Sequence, residues 1–137
     1  MNLGHFEFVP LERIPVESGT VFKTIALDSL SEPIKEIYFS EVYQHKVKPW
    51  RRHQKALTRI IVPTGKIDFI ISSDFQGYDK ISIGESNYGL LIIFPTVWFT
   101  FRGSAPKNVL MNLSSQCHDP NDNEQIDRPS FDDIWED

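Results

Sequence analysis

The feature that most constrains this chain is its periodicity, which is two residues rather than 3.6 along almost its whole length. Segments such as "KEIYFSEVY", "ALTRIIV", "KIDFIIS", "GLLIIF", "VWFTF" and "KNVLMNLSS" are rich in β-branched and aromatic residues. Such segments fit a pleated, half-buried surface. Turn signals punctuate them: "ESG", "SEP", "PTG", "SDFQGYD", "PT" and "RGSAP". Many short strands with closely spaced turns predict an all-β sandwich or barrel. No helical stripe of useful length, internal repeat or splitting linker interrupts the pattern. The runs on either side of Pro63-Thr64-Gly65 read as a β-hairpin.

A chain of 137 residues predicts one domain with a core that needs no staples. Residues 117–137, "CHDPNDNEQIDRPSFDDIWED", form a polar extension of it. So little apolar content reads as a surface tail, which Phe131, Ile134 and Trp135 could anchor to the barrel or to a neighbouring subunit. With 14 basic and 19 acidic residues the net charge is −5, which argues against a general nucleic-acid or anionic-membrane binder. Cys117 is the only cysteine, which excludes an intrachain disulfide and argues against a thiolate metal cluster. The N-terminus lacks the basic-then-apolar pattern of a secretory signal. The apolar run "LLIIF" is far shorter than the roughly 18 residues of a spanning helix. A cytoplasmic protein without membrane insertion is the expectation.

Against this acidic background, "VKPWRRHQK" (47–55) carries four cations, a tryptophan and a histidine. Strand alternation puts Arg51 and His53 on one face and Trp50 and Arg52 on the other. Barrels that hold a metal often use an H-x-H triplet here. This chain has Arg51-Arg52-His53, and arginine is no ligand because it never deprotonates in proteins. The later strand "FPTVWFTF" offers no His, Asp or Glu, so no metal and no cofactor are expected. Lys48, Arg51 and Arg52 suit phosphate oxygens, or else are solvated strand positions. Trp50 is either core or a stacking wall. No G-x-S-x-G elbow appears, and the Cys117-His118 neighbours point to opposite faces of any strand. Candidates for proton transfer are His53, His45, Glu41, Tyr43 and Asp119, with histidine best matched to neutral pH.

Four stretches taken in order, "VPLERIPVESGTVFKTI", "KEIYFSEVYQHKVKPWRRH", "IIVPTGKIDFII" and "LLIIFPTVWFTFRGSAPKNVLMNLSSQCHDPND", resemble the short members of the dTDP-4-dehydrorhamnose 3,5-epimerase-like cupins. The resemblance runs from about Phe8 to Asp122. It implies a cupin-type jelly-roll β-barrel, a homodimer with an N-terminal strand lent to the partner, and a nucleotide-linked sugar as ligand. It also implies metal-free epimerisation or isomerisation of a 4-keto-6-deoxy sugar for surface polysaccharide, including lipopolysaccharide.

In that resemblance the family's catalytic histidine falls on Arg51, and its arginine on Lys48. His53 takes the second histidine of the H-x-H version found in ketoisomerase-like members. The substrate-polarising lysine falls on Thr58, the tyrosine acid near Asn112, and the nucleotide-contacting pair on Glu41 and Tyr43. The early turn arginine is Ser18 here. If the chain is an enzyme of this kind, His53 is expected as base, Arg51 as enolate stabiliser and Tyr43 as a candidate acid. Lys48, Glu41, Trp50, Thr58, Asn112 and Trp98 complete the expected substrate contacts. A binding cupin without turnover, accessory to the same pathway, is the alternative.

Overall fold

The computed structural model describes residues 4–127 and 134–135. Strands β1 (Phe6–Pro10), β2 (Arg13–Val16), β3 (Gly19–Phe22), β4 (Glu36–Glu41), β5 (Trp50–His53) and β6 (Thr58–Thr64) occupy the first half. Strands β7 (Lys66–Ser72), β8 (Asp79–Gly84), β9 (Gly89–Ile93), β10 (Trp98–Gly103), β11 (Val109–Ser114) and β12 (Asn123–Ile126) follow. The helical content among described residues is one 3-10 turn, Leu27–Ser29. No described helix is long and apolar enough to cross a membrane.

Two five-stranded antiparallel sheets face each other, in the orders β1-β9-β6-β11-β4 and β12-β5-β10-β7-β8. The paired strands β2 and β3 stand apart as a hairpin. Between the sheets lies the main core. Ile60, Val62, Leu91 and Ile93 from one side meet Ile67, Phe69, Ile71, Phe99 and Phe101 from the other. Period-two alternation supplies these inward positions, and burying them is the dominant favourable term of the fold.

The expected hairpin across Pro63-Thr64-Gly65 does not form. β6 pairs with β9 and β11, whereas β7 pairs with β8 and β10, so the chain crosses from one sheet to the other at Gly65. Alternating apolarity is the same whether consecutive strands pair or change sheets, which is why the sequence suggested otherwise. The crossing requires glycine: φ is +84° at Gly65, and a Cβ there would lie 2.2 Å from the Lys107 carbonyl oxygen.

The polar C-terminal stretch is also more than a surface tail. β12 adds to β5 as the edge of the second sheet, with Asn123 opposite His53 and Gln125 opposite Arg51. Ile126, Ile134 and Trp135 pack on the outer face of this sheet against Trp50, Ile70 and Trp98. Phe131 lies outside the described residues.

Candidate active site

At one end of the barrel the inward positions turn from aliphatic to polar. β4 contributes Tyr38 and Ser40, β5 contributes Arg51 and His53, and β11 contributes Asn112. Lys48, from the chain leading into β5, joins this lining, with Phe99 and Phe101 forming an apolar wall. An adjoining vestibule shares Tyr38, His53 and Asn112 and is bordered by Thr58, His118, Asp119 and Asp122. Asn112 follows a register irregularity between Val109 and Met111 in the β6–β11 pairing. Such irregularities re-aim side chains near functional sites.

His53 is held from behind. Its Nδ1 faces Asp122 Oδ2 at 3.7 Å, beyond hydrogen-bond distance. Asp122 is buried and accepts N–H groups from Lys55 at 2.6 Å and Ala56 at 3.2 Å, which anchors the carboxylate. With Nδ1 turned to Asp122, Nε2 is the nitrogen available to the cavity. Burial holds the His53 pKa below its ordinary 6.5; Asp122 pulls the other way, while Arg51 and His118 reinforce the depression. His53 is therefore neutral, and basic, around pH 7.

Arg51 points into the same cavity from β5, its guanidinium 5.8 Å from the centroid of Phe101. Burial lowers its pKa from the ordinary arginine value, but an arginine remains a cation at neutral pH. Opposite it on β4, the Tyr38 hydroxyl accepts a hydrogen bond from Asn112 Nδ2 at 3.1 Å. Burial raises the Tyr38 pKa above 10 despite the nearby Arg51 charge, so the phenol stays protonated. Because Asn112 donates to the phenol oxygen, the O–H of Tyr38 remains available to a ligand.

The residues singled out from sequence divide into two sets. His53, Arg51, Lys48, Thr58 and Asn112 line the cavity or its vestibule. Glu41, Tyr43, Trp50 and Trp98 do not appear in either lining. Glu41 ends β4 exposed, and Tyr43 beyond it is 70% exposed. Trp50 and Trp98 are buried on the outer face of the second sheet, with Phe75 at 5.0 and 5.4 Å from their rings. Arg52, the outward neighbour of Arg51, bonds Glu124 and stacks on Trp98 at 4.6 Å. Sequence reasoning missed Tyr38, Ser40 and Asp122. The alternation Glu36-Tyr38-Ser40 along "EIYFSE" was the signal for the first two. Among the described residues no group of three or more His, Cys, Asp or Glu converges to hold a metal.

Facing antiparallel sheets with a polar cavity at one end define a cupin-type jelly-roll β-barrel. No family model matches the sequence, and no curated protein does so either. Solved structures do. The chain is 29% identical to a dTDP sugar isomerase from Desulfovibrio desulfuricans G20, with TM-score 0.83, covering 93% of this chain and 85% of that one. QdtA, a sugar 3,4-ketoisomerase from Thermoanaerobacterium thermosaccharolyticum solved with TDP, gives 19% identity and TM-score 0.78 over 90% and 89% of the two chains. NovW, a 4-keto-6-deoxy sugar epimerase from Streptomyces spheroides, gives 12% identity and TM-score 0.79 over 91% and 71%. At such identities the last two establish the fold alone. The chain has the cupin fold and is similar in structure to these sugar isomerases and epimerases.

Proposed function

We propose that this protein is a metal-independent isomerase or epimerase of a dTDP-linked 4-keto-6-deoxy sugar. One observation carries the reading: His53, backed by the buried Asp122 carboxylate, shares a cavity with Arg51 and Tyr38. His53 Nε2 removes a proton from the carbon beside the ketone. The electrons move to the ketone oxygen, where Arg51 stabilises the enolate charge in a partly dry site. Tyr38 returns a proton to carbon, and its own is replaced through His53 or solvent. Returning the proton to the same carbon from the other face epimerises it. Moving the neighbouring hydroxyl's O–H proton to the enolate oxygen and returning the carbon proton to the former ketone carbon makes the hydroxyl carbon the new ketone and isomerises the sugar. Tyr38 takes the acid role expected of Tyr43, because it reaches the cavity.

The accessory-protein reading is favoured by Arg51, which stands where the resemblance places a histidine. Proton exchange separates the two. Incubated with dTDP-4-keto-6-deoxyglucose in deuterium oxide, an enzyme exchanges protons on the carbons flanking the ketone above a no-protein control. Binding without exchange would favour the accessory role.

Lys48 lines the cavity together with Arg51, and we assign it to the diphosphate. Charge-assisted contacts of this kind are worth about 1.5–3 kcal/mol. Lys48→Ala should weaken dTDP binding by about 10- to 100-fold in calorimetry, and an unchanged affinity would remove the clamp.

The pH profile follows from the direction of the His53 shift. A base must be neutral, so kcat/KM should fall only as pH drops below 6.5 through the depressed pKa. Asp122→Asn removes the charge that raises that pKa, so the acid limb should move to still lower pH. A limb moving upward would contradict Asp122 as the partner of His53.

A homodimer completes the proposal. On the edge strand β4, Ile37 and Phe39 face away from the cavity, and Phe39 is 67% exposed. The β2–β3 hairpin has no buried residue within the protomer. Such apolar exposure on a monomer is unusual. Sedimentation should give twice the chain mass, and Phe39→Glu should shift it toward the monomer; a wild-type monomer would refute this.

A further inference from the structure

Two buried polar atoms in the cavity have no hydrogen-bond partner within the described protein: Arg51 Nε, a donor, and Asn112 Oδ1, an acceptor. Buried groups left in this state are rare, and each one demands an explanation. These two line one cavity. They also come from opposite sheets, Arg51 from β5 and Asn112 from β11, so whatever lies between them is gripped from both sides. Facing sheets stand about 10 Å apart, which leaves room for a sugar ring between the two strands.

The orientation of Asn112 is fixed by its other end. Its Nδ2 donates to the Tyr38 oxygen, which turns Oδ1 away from Tyr38 as an acceptor. The residue is only 8% exposed, and what remains open of it faces the cavity. Arg51 presents the complementary group, an N–H without an acceptor. A ligand that satisfies both must carry an acceptor and a donor on neighbouring atoms.

We infer that Arg51 and Asn112 together read an α-hydroxyketone, the ketone oxygen accepting from Arg51 Nε and the adjacent hydroxyl donating to Asn112 Oδ1. On a 4-keto sugar that hydroxyl is the one on C3. Resting on the isomerase or epimerase reading above, this deepens it by naming a residue that determines specificity. In the product of a keto–hydroxy exchange the C3 oxygen is itself a ketone facing the Asn112 acceptor, so this donor–acceptor pair favours the 4-keto substrate over the exchanged product. Asn112 does not take part in bond breaking. It selects the hydroxyl and keeps the Tyr38 proton free by occupying the phenol oxygen as a donor.

The test compares two ligands on three proteins. dTDP-4-keto-6-deoxyglucose and its analogue lacking the C3 hydroxyl are titrated into the wild type, Asn112→Ala and Asn112→Asp, with dTDP alone as a control for folding and nucleotide binding. A site built to bond a hydroxyl rejects the ligand that lacks it, because its own acceptor is left unpaired. The wild type should prefer the hydroxylated ligand by about 10- to 100-fold. Asn112→Ala should lose that preference, and Asn112→Asp, which keeps an acceptor at the same place, should retain most of it. Equal binding of both ligands by the wild type overturns the inference and leaves the isomerase reading standing, as does a preference that survives Asn112→Ala. If neither keto-sugar binds while dTDP does, both the inference and the keto-sugar reading fall.

Discussion

His53→Asn should lower turnover of the keto-sugar by roughly 10³-fold while dTDP affinity changes by no more than about twofold. The size of the loss follows from what else the cavity contains. Arg51 cannot give up its proton near neutral pH. Burial pushes the Tyr38 phenol above its ordinary pKa, which makes it a better acid and a worse base. Asp122 is engaged by the Lys55 and Ala56 amides behind the imidazole. Asparagine keeps the approximate shape of histidine and leaves those two amide bonds in place, so the defect is chemical rather than structural. Exchange of solvent deuterium into the substrate should disappear together with product formation, since both need the same deprotonation. Retention of more than about a tenth of wild-type turnover would move the base elsewhere, and His118 in the vestibule would be examined next.

How far the sequence disclosed this site depends on which physical signal each residue left. Strand alternation in "WRRH" placed Arg51 and His53 inward and Trp50 and Arg52 outward, and the cavity and the Arg52–Glu124 pair follow that pattern. Along "EIYFSEV" alternation also holds, but the inward face is Tyr38, Ser40 and Val42, whereas Glu41 lies on the outward side with Ile37 and Phe39. Val42 turns inward as a buried residue, and His45 adopts a φ of +63°. A row projected through Glu41, Tyr43 and His45 therefore follows the outward face, while Tyr38 and Ser40 on the opposite face line the cavity.

Trp50 and Trp98 illustrate a second gap. A tryptophan in a strand looks the same whether it walls a ligand site or supports an outer face. The difference is Ile126, Ile134 and Trp135, which cover both rings from a segment too polar to be recognised as part of the core. Asp122 was hidden in that segment too. Its importance comes from three partners that are distant in sequence, and no local spacing encodes them. The pairing of β6 and β7 was illegible for the related reason that alternation specifies faces, not neighbours.

Asn108→Ala should produce the largest loss of stability of any single change outside the cavity. Asn108 is 1% exposed and uses both ends of its amide. Its Oδ1 accepts from the Lys66 amide at 2.9 Å and the Ala105 amide at 3.1 Å. Its Nδ2 donates to the carbonyls of Val42 at 3.0 Å and Ala105 at 2.8 Å. One side chain thus ties together the end of β4, the start of β7 and the loop before β11. Two glycines make room for it. A Cβ at Gly65 would lie 2.4 Å from Asn108 Oδ1, and one at Gly103 would lie 2.7 Å from its Nδ2. Alanine would strand two amides and two carbonyls where water enters with difficulty. Each stranded group costs about 1–3 kcal/mol, and partial relaxation of the loop offsets part of the sum. A net loss of about 3–5 kcal/mol is expected, equivalent to a Tm lower by about 10–20 °C for a chain of this size. Urea unfolding should show the midpoint falling with little change in slope. A loss below about 1 kcal/mol would mean that the corner is held by its backbone alone. Activity discriminates this variant from His53→Asn: measured well below its Tm, the folded fraction of Asn108→Ala retains His53, Arg51 and Tyr38. Its kcat should therefore stay within a few-fold of wild type while its tolerance of heat and urea collapses.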